Sequence, residues 1–267
     1  MLRDITIGQY YPKKSIIHKL DPRVKLAGTF LYIISLFFIK NFLGYIPALI
    51  YITIVIVLSK VPLRHILKGL KPVMLLIVLT GVINLFMTPG DDVLVTFFKF
   101  TITERGLKKA AFFVIRLLFL IISSSLLTYT TTPNQLTDGI EKAFKPLNRI
   151  KIPVHEFALI MSLALRFIPI LVEEADKIIK AQSARGADFE EGKMIERIKS
   201  MASILVPLLV SAMRRADDLA LAMDARCYHG GEGRTKMKPL MYMGRDYAGY
   251  AVIGVYFVSL IIVGRFI

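Results

Sequence analysis

Two arginines carry the clearest chemical signal in this chain. They end two segments of one design, "ADKIIKAQSARG" at 175–186 and "ADDLALAMDARC" at 216–227. Each reads Ala-Asp, four residues, Ala, two residues, Ala-Arg, so Ala175, Asp176, Ala181, Ala184 and Arg185 correspond to Ala216, Asp217, Ala222, Ala225 and Arg226. An arginine offers five fixed N–H donors in a planar fork and keeps its charge, which suits recognition of a carboxylate or of backbone carbonyls rather than proton transfer. Gly186 follows Arg185, and Gly230-Gly231 lies just past Arg226, the glycine placement of a helix C-terminus. The alanines leave room for a neighbouring helix. One such arginine is a cation complementing a helix dipole, worth about 0.3–1 kcal/mol. The same pattern in duplicate reads instead as two equivalent cationic helix ends made for two equivalent sockets on a partner.

Other chemistry is not encoded. The phosphate-cradling pattern G-x-x-x-x-G-K-[ST] does not occur, so any nucleotide energy must come from another chain. His155-Glu156 lacks a second histidine four residues on, and His18, His65, His155 and His229 are scattered, so metal is not expected. The single cysteine, Cys227, rules out an internal disulfide. A membrane enzyme would need clustered carboxylates, histidines or a nucleophile at membrane depth, and none is present.

The elements that must position the arginines belong to a membrane protein. Of 267 residues 55% are hydrophobic and the mean hydropathy is +0.58, yet the net charge is +15. Charge is missing from Leu26 to Ile39, Asn41 to Ser59, Pro72 to Gly90 and Leu117 to Gln135. These runs predict spans over about Val24–Ile39, Phe42–Leu58, Pro72–Thr88 and Lys109–Thr131, with a fifth from about Ala248 to the end. The first 25 residues and the 60–71 loop together hold ten basic residues against two acidic ones, which places both on the cytoplasmic side. The 88–106 loop, with Asp91 and Asp92, is then outside. The polar first 25 residues show no cleavable signal peptide. Arg116, inside the fourth span, is expected to snorkel to the headgroups, and the tyrosines to act as interfacial anchors.

Residues 134–240 differ in kind, with 17 basic and 14 acidic side chains. Their apolar stretches, Phe157–Leu165 and Ile204–Ala212, are too short to span. They read as long amphipathic helices of a cytoplasmic domain, kinked at Pro169 and Pro207. The organisation is therefore a transmembrane region at 1–133, a cytoplasmic coupling-helix domain at 134–240 and a C-terminal span at 241–267, an all-α integral membrane protein.

On these residues the chain resembles the transmembrane T component of energy-coupling factor (ECF) transporters, which take up vitamins and other micronutrients and belong to the ABC transporters. The resemblance rests on Ala184-Arg185-Gly186 and Ala225-Arg226-Cys227, and on an opening "GQYYPKKSIIHKLDPRVKL" at 8–26. Cys227 stands where the family usually has glycine. The resemblance implies that each triplet docks into one of two ABC-type ATPase subunits, which would use ATP and magnesium. It implies a third partner, a substrate-binding integral membrane S component, and no cofactor bound by this chain itself. In the opening element Asp21 can N-cap a helix that begins at Pro22, with Arg23 and Lys25 expected at the phosphate level of the inner leaflet. Methionines such as Met161, Met201, Met213 and Met223 suit a surface that repacks between partners. A stand-alone transporter or channel is the alternative, but the repeat is direct and cytoplasmic rather than inverted at the midplane. A nucleic-acid binder would concentrate its charge in the soluble domain, whose excess is only three.

Overall fold

The structure is a computed structural model that describes residues 10–88, 93–97, 100–150, 153–186, 194–230, 237 and 239–265. Gly8, Gln9, Gly90, Asp91, Asp92 and Gly231, named above, lie outside the described residues. Two compact units emerge: Gly8–Gly139 with Leu240–Ile267, and Ile140–Pro239 with Met1–Ile7. The first unit holds α1 (Pro22–Phe38), α2 (Tyr45–Ser59), α3 (Leu63–Leu70), α4 (Met74–Met87), α5 (Glu104–Thr130), α6 (Pro133–Phe144) for most of its length, and α9 (Gly244–Arg265). The second holds α7 (Val154–Ala184) and α8 (Met194–Asp224).

Helix α5 is the hub of the first unit. It packs against α1, α2, α3 and α4, while α9 closes on α1 and α2. Thr103 caps its start by accepting a bond from the Gly106 N–H. Gly106 is there because a Cβ would stand 2.8 Å from the Leu85 carbonyl oxygen of α4. The core of the bundle is aromatic. Tyr32, Tyr51 and Tyr256 bring their rings to 4.8–5.6 Å of one another. Their polar ends are used: the Tyr32 hydroxyl donates to the Ala48 carbonyl, and the Tyr256 hydroxyl lies 2.6 Å from Ser35 Oγ. A buried tyrosine is tolerated when its O–H has a partner, so these three are core residues and not the interfacial anchors expected from the sequence.

Five helical stretches are long and apolar enough to cross a membrane: Phe42–Ser59, Leu63–Met87, Glu104–Thr130, Val154–Ala184 and Gly244–Arg265. Four of them coincide with spans expected from the sequence, and α7 stands in place of the first, Val24–Ile39. Helix α1, at 17 residues, falls just short, although it turns Phe30, Phe37 and Phe38 outward. Helix α7 qualifies because Val154 onward is apolar for half its length before Glu173-Glu174. The 60–71 segment is not a loop either. Ile66 and Leu70 are buried one turn apart, and α3 runs through a 3₁₀ turn at Lys71–Val73 into α4. Between α4 and α5 an antiparallel hairpin pairs β1 (Val93–Phe97) with β2 (Phe100–Thr103), in register Val95↔Ile102 and Phe97↔Phe100. It is the one departure from an all-helical chain among the described residues. Pro169 and Pro207 lie inside continuous helices.

Arg116 is anchored inward. Its Nη2 donates to the Ile39 carbonyl at 3.0 Å, one of the acceptors left open where α1 ends, and its guanidinium stacks over Phe112. A carbonyl within reach is a better partner than a headgroup a side-chain length away.

The Gly106 contact is with backbone and cannot be relieved by rotating a side chain. Gly106→Ala is expected to destabilise the protein by about 1–3 kcal/mol, read as a lowered melting temperature in detergent. Gly264→Ala, with no atom near its Cβ position, should leave that temperature unchanged or raise it slightly.

Candidate functional site

Both arginine-tipped ends share one backbone geometry. At the end of α7 Arg185 is the C-cap, and Gly186 N–H donates to the Ser183 carbonyl at 3.0 Å with φ +86°. At the end of α8 Cys227 N–H donates to Asp224 at 2.9 Å and Tyr228 N–H to Met223 at 3.1 Å. This is the Schellman arrangement, in which the residue after the cap is left-handed. Cys227 adopts it with φ +54°, so the backbone that glycine gives the first end is kept by a cysteine at the second. An L-residue there costs about 1–2 kcal/mol. Ala184, Arg185, Gly186, Ala225, Arg226 and Cys227 are all exposed, which leaves both triplets free to meet another surface.

The two helices meet at equivalent places. Arg215 Nη2 donates to Glu174 Oε2 at 3.0 Å, and each residue directly precedes the Ala-Asp of its own repeat. A contact between a position and its repeat equivalent is what a local two-fold relation requires on its axis. Each arginine then stands eleven residues beyond the pair, about 16 Å along its helix. The ion pair is partly solvated, so it fixes register more than it stabilises. The repeat's small residues do not line this contact as the sequence suggested. Ala175 and Asp176 are half-buried, whereas Ala181, Ala216, Asp217 and Ala222 are exposed. In the same unit His155 Nδ1 lies 3.0 Å from Glu141 Oε1.

The opening element is a lock on helix termini. Asp21 accepts from Arg23 N–H at 2.9 Å as N-cap of α1, and from Arg23 Nε and Nη2 at 3.0 and 2.8 Å. Pro22 opens the helix, its missing N–H being one that would lack a partner anyway. The Asp21 N–H donates to Asp246 Oδ1, and Asp246 Oδ2 accepts from Met243 N–H, both at 2.8 Å. One buried carboxylate thereby ties the start of α1 to the start of α9. Lys25 Nζ donates to the carbonyls of Thr130 at 2.8 Å and His18 at 3.2 Å. Tyr11 N–H donates to the Tyr129 carbonyl at 3.0 Å. Two acceptors at the open end of α5 are thus filled by the N-terminal segment.

These contacts turn Arg23 and Lys25, expected at the phosphate level of the inner leaflet, toward the protein itself. Lys25 is 7% exposed and Arg23 is folded onto Asp21, its guanidinium 3.8 Å above the Tyr242 ring. Nearby carboxylate and carbonyl oxygens claim both cations. Burial raises the Asp21 carboxyl, but the bonds and charge from Arg23 outweigh it and hold it below the usual range. Asp246, Thr130 and His18 were not identified from the sequence; the one signal was Asp246 at the third position of α9, where a carboxylate can cap.

Comparison with known proteins follows the same residues. The family described as "Cobalt transport protein" (CbiQ) matches residues 13–237. The chain is similar to proteins named energy-coupling factor transporter transmembrane protein EcfT. The one from Clostridium kluyveri is 54% identical over 248 residues, 92% of each chain. That from Thermosediminibacter oceani is 49% identical over 266 residues, 100% of both. The Bacillus subtilis protein is 44% identical over 246 residues, 92% of this chain and 93% of its own.

Cys227→Gly is expected to stabilise by about 1 kcal/mol through release of the left-handed strain, and Gly186→Ala to destabilise by a similar amount; thermal melts of the two variants check the pair. A pH effect arises at His18, whose Nε2–H donates to the Tyr11 carbonyl while Ser15 Oγ donates to Nδ1. Burial keeps this imidazole below its ordinary 6.5, so its contribution is present above that pH and is lost as pH falls through the lowered value. The melting temperature should drop between pH 7.5 and 5, and His18→Gln should flatten part of that slope.

Proposed function

The chain belongs to the CbiQ family and is an ECF transporter transmembrane component, and from that premise we propose that it links two ATP-hydrolysing subunits to a separate substrate-binding membrane subunit for uptake of a vitamin or other micronutrient. The observation that carries this reading is the twin construction of the arginine ends. Arg185 and Arg226 stand directly before the left-handed residue of two similar helix ends, eleven residues beyond the Glu174–Arg215 pair, and both are exposed. A single asymmetric partner would have no use for the duplication; a pair of homologous ATPases has one socket for each.

Each arginine donates its fork to carboxylate or carbonyl oxygens of one ATPase, with Ala184 and Ala225 keeping the approach open and Gly186 and Cys227 turning the chain away. ATP and magnesium are bound by those subunits, not by this one. When the ATPases close on ATP, the two tips are drawn together and α7 and α8 turn about their contact. Their exposed apolar side chains, Met161, Ile168, Met201, Leu205, Leu209 and Met213 among them, pass that motion to the substrate-binding subunit by repacking. In this reading the protein sits in the cell membrane with its N-terminus and residues 133–245 cytoplasmic, and residues 134–240 form the coupling domain between the transmembrane region 1–133 and the last span, 241–267.

The double variant Arg185→Glu/Arg226→Glu tests it. The expected result is a protein that inserts and melts like the wild type but no longer co-purifies with ATPase subunits in mild detergent, while each single variant retains part of the complex. A double variant that still carries both ATPases, or a wild-type protein that purifies alone and monodisperse, overturns the docking role.

A further inference from the structure

A cavity of about 190 Å³ lies within the first unit, and no residue of either arginine triplet lines it. Its walls are mostly aliphatic and come from α1, α2, α5 and α9, with Gly28, Tyr51, Val55 and Ile253 among them, and from Ile16, Ile17 and Leu20 of the segment before α1. All four helices have an end at the same level, since α1 and α9 start there while α2 and α5 finish. The two cations of the lining, Lys25 and Arg245, stand at that end. From Arg245 the cavity follows α9 for eight residues to Ile253, about 12 Å, against about 15 Å for half of a hydrocarbon core. Ile54, Leu58 and Val252 at its rim are exposed, so in a bilayer its side opening meets lipid chains.

Charge at the mouth is unbalanced. Arg23 is held by Asp21, and the two oxygens of Asp246 are taken by backbone N–H groups. Lys25 uses two of its three donors on carbonyls. Arg245 is exposed and makes no ion pair among the described residues. Three cations against two carboxylates leave one positive charge beside the starts of two helices, whose dipoles add to it. We propose that this cavity holds one acyl chain of an anionic phospholipid, with the phosphate on Arg245. A narrow aliphatic slot one leaflet deep, capped by a surplus cation, is complementary to that molecule and to no soluble solute of similar charge. The inference needs only the membrane location of the chain, not its proposed partners.

Native mass spectrometry of the full-length chain, released from micelles containing equal amounts of phosphatidylglycerol and phosphatidylcholine, tests this. The expected result is one phosphatidylglycerol retained per chain, several-fold over phosphatidylcholine. Arg245→Glu should bring that ratio to one or below, and Val55→Phe, which fills the slot, should lower retention of both lipids several-fold. Equal retention of the two lipids by the wild type, an Arg245→Glu protein that keeps the preference, or a Val55→Phe protein that keeps its lipid would overturn the proposal. So would displacement of the lipid by glycerophosphoglycerol, which carries the headgroup without the chains.

Discussion

The structure depends on one constraint, that helix ends near hydrocarbon must find partners for backbone groups water would otherwise serve. Three such ends meet around Asp21. The starts of α1 and α9 present N–H groups and positive dipole ends, while the finish of α5 presents bare carbonyls. Asp21 and Asp246 answer the first two, and Lys25 with the Tyr11 N–H answers the third. Each group serves two elements at once, so the N-terminal segment, the first helix, the hub helix and the last helix are joined through side chains from opposite ends of the sequence. At the far end of α1, Arg116 meets the Ile39 carbonyl in the same way. The opening element is thus a structural device first, and its basic residues face inward.

The second unit follows another rule. Among the described residues α7 and α8 pack directly on one another and share a partly solvated ion pair, and many of their large apolar side chains remain exposed. At each tip one bond to a left-handed residue, Gly186 N–H to Ser183 and Cys227 N–H to Asp224, sets the direction in which the chain leaves its arginine. Cys227 holding a glycine's backbone angle fits that view. The geometry of the tip is kept even where the residue that makes it easy is missing, which is expected where the shape of the end matters more than its stability.

Much of this was legible in the sequence, and what was not has physical reasons. The spans around α2, α4, α5 and α9 could be read because a bilayer tolerates few charges, so their absence marks a helix directly. Asp21 as N-cap was legible because capping is local. Its link to Asp246 was not, because 225 residues separate them and no periodicity connects the two. Arg64 and Lys68 disguised α3, since charge density outweighed the Ile66–Leu70 spacing. Arg23, Lys25 and Arg116 were assigned outward for the same reason: composition reveals that a cation is present, but only folding reveals whether a carbonyl lies within its reach. The repeat in α7 and α8 was visible as a pattern, whereas the contact of Glu174 with Arg215 between its copies required the crossing itself.

Reach also separates the cations that build the protein from those left to act. Lys25, Arg23, Arg116 and Arg215 each have an acceptor from another residue within hydrogen-bond distance and are spent on it. Arg185, Arg226 and Arg245 are exposed and make no ion pair among the described residues, so their donors remain for something outside the chain. The first two sit at exposed helix ends with a set backbone direction, which favours a protein surface with fixed oxygens. The third borders a greasy slot, which favours an amphiphile. The same side chain therefore implies two different kinds of partner, and what distinguishes them is the surface beside it.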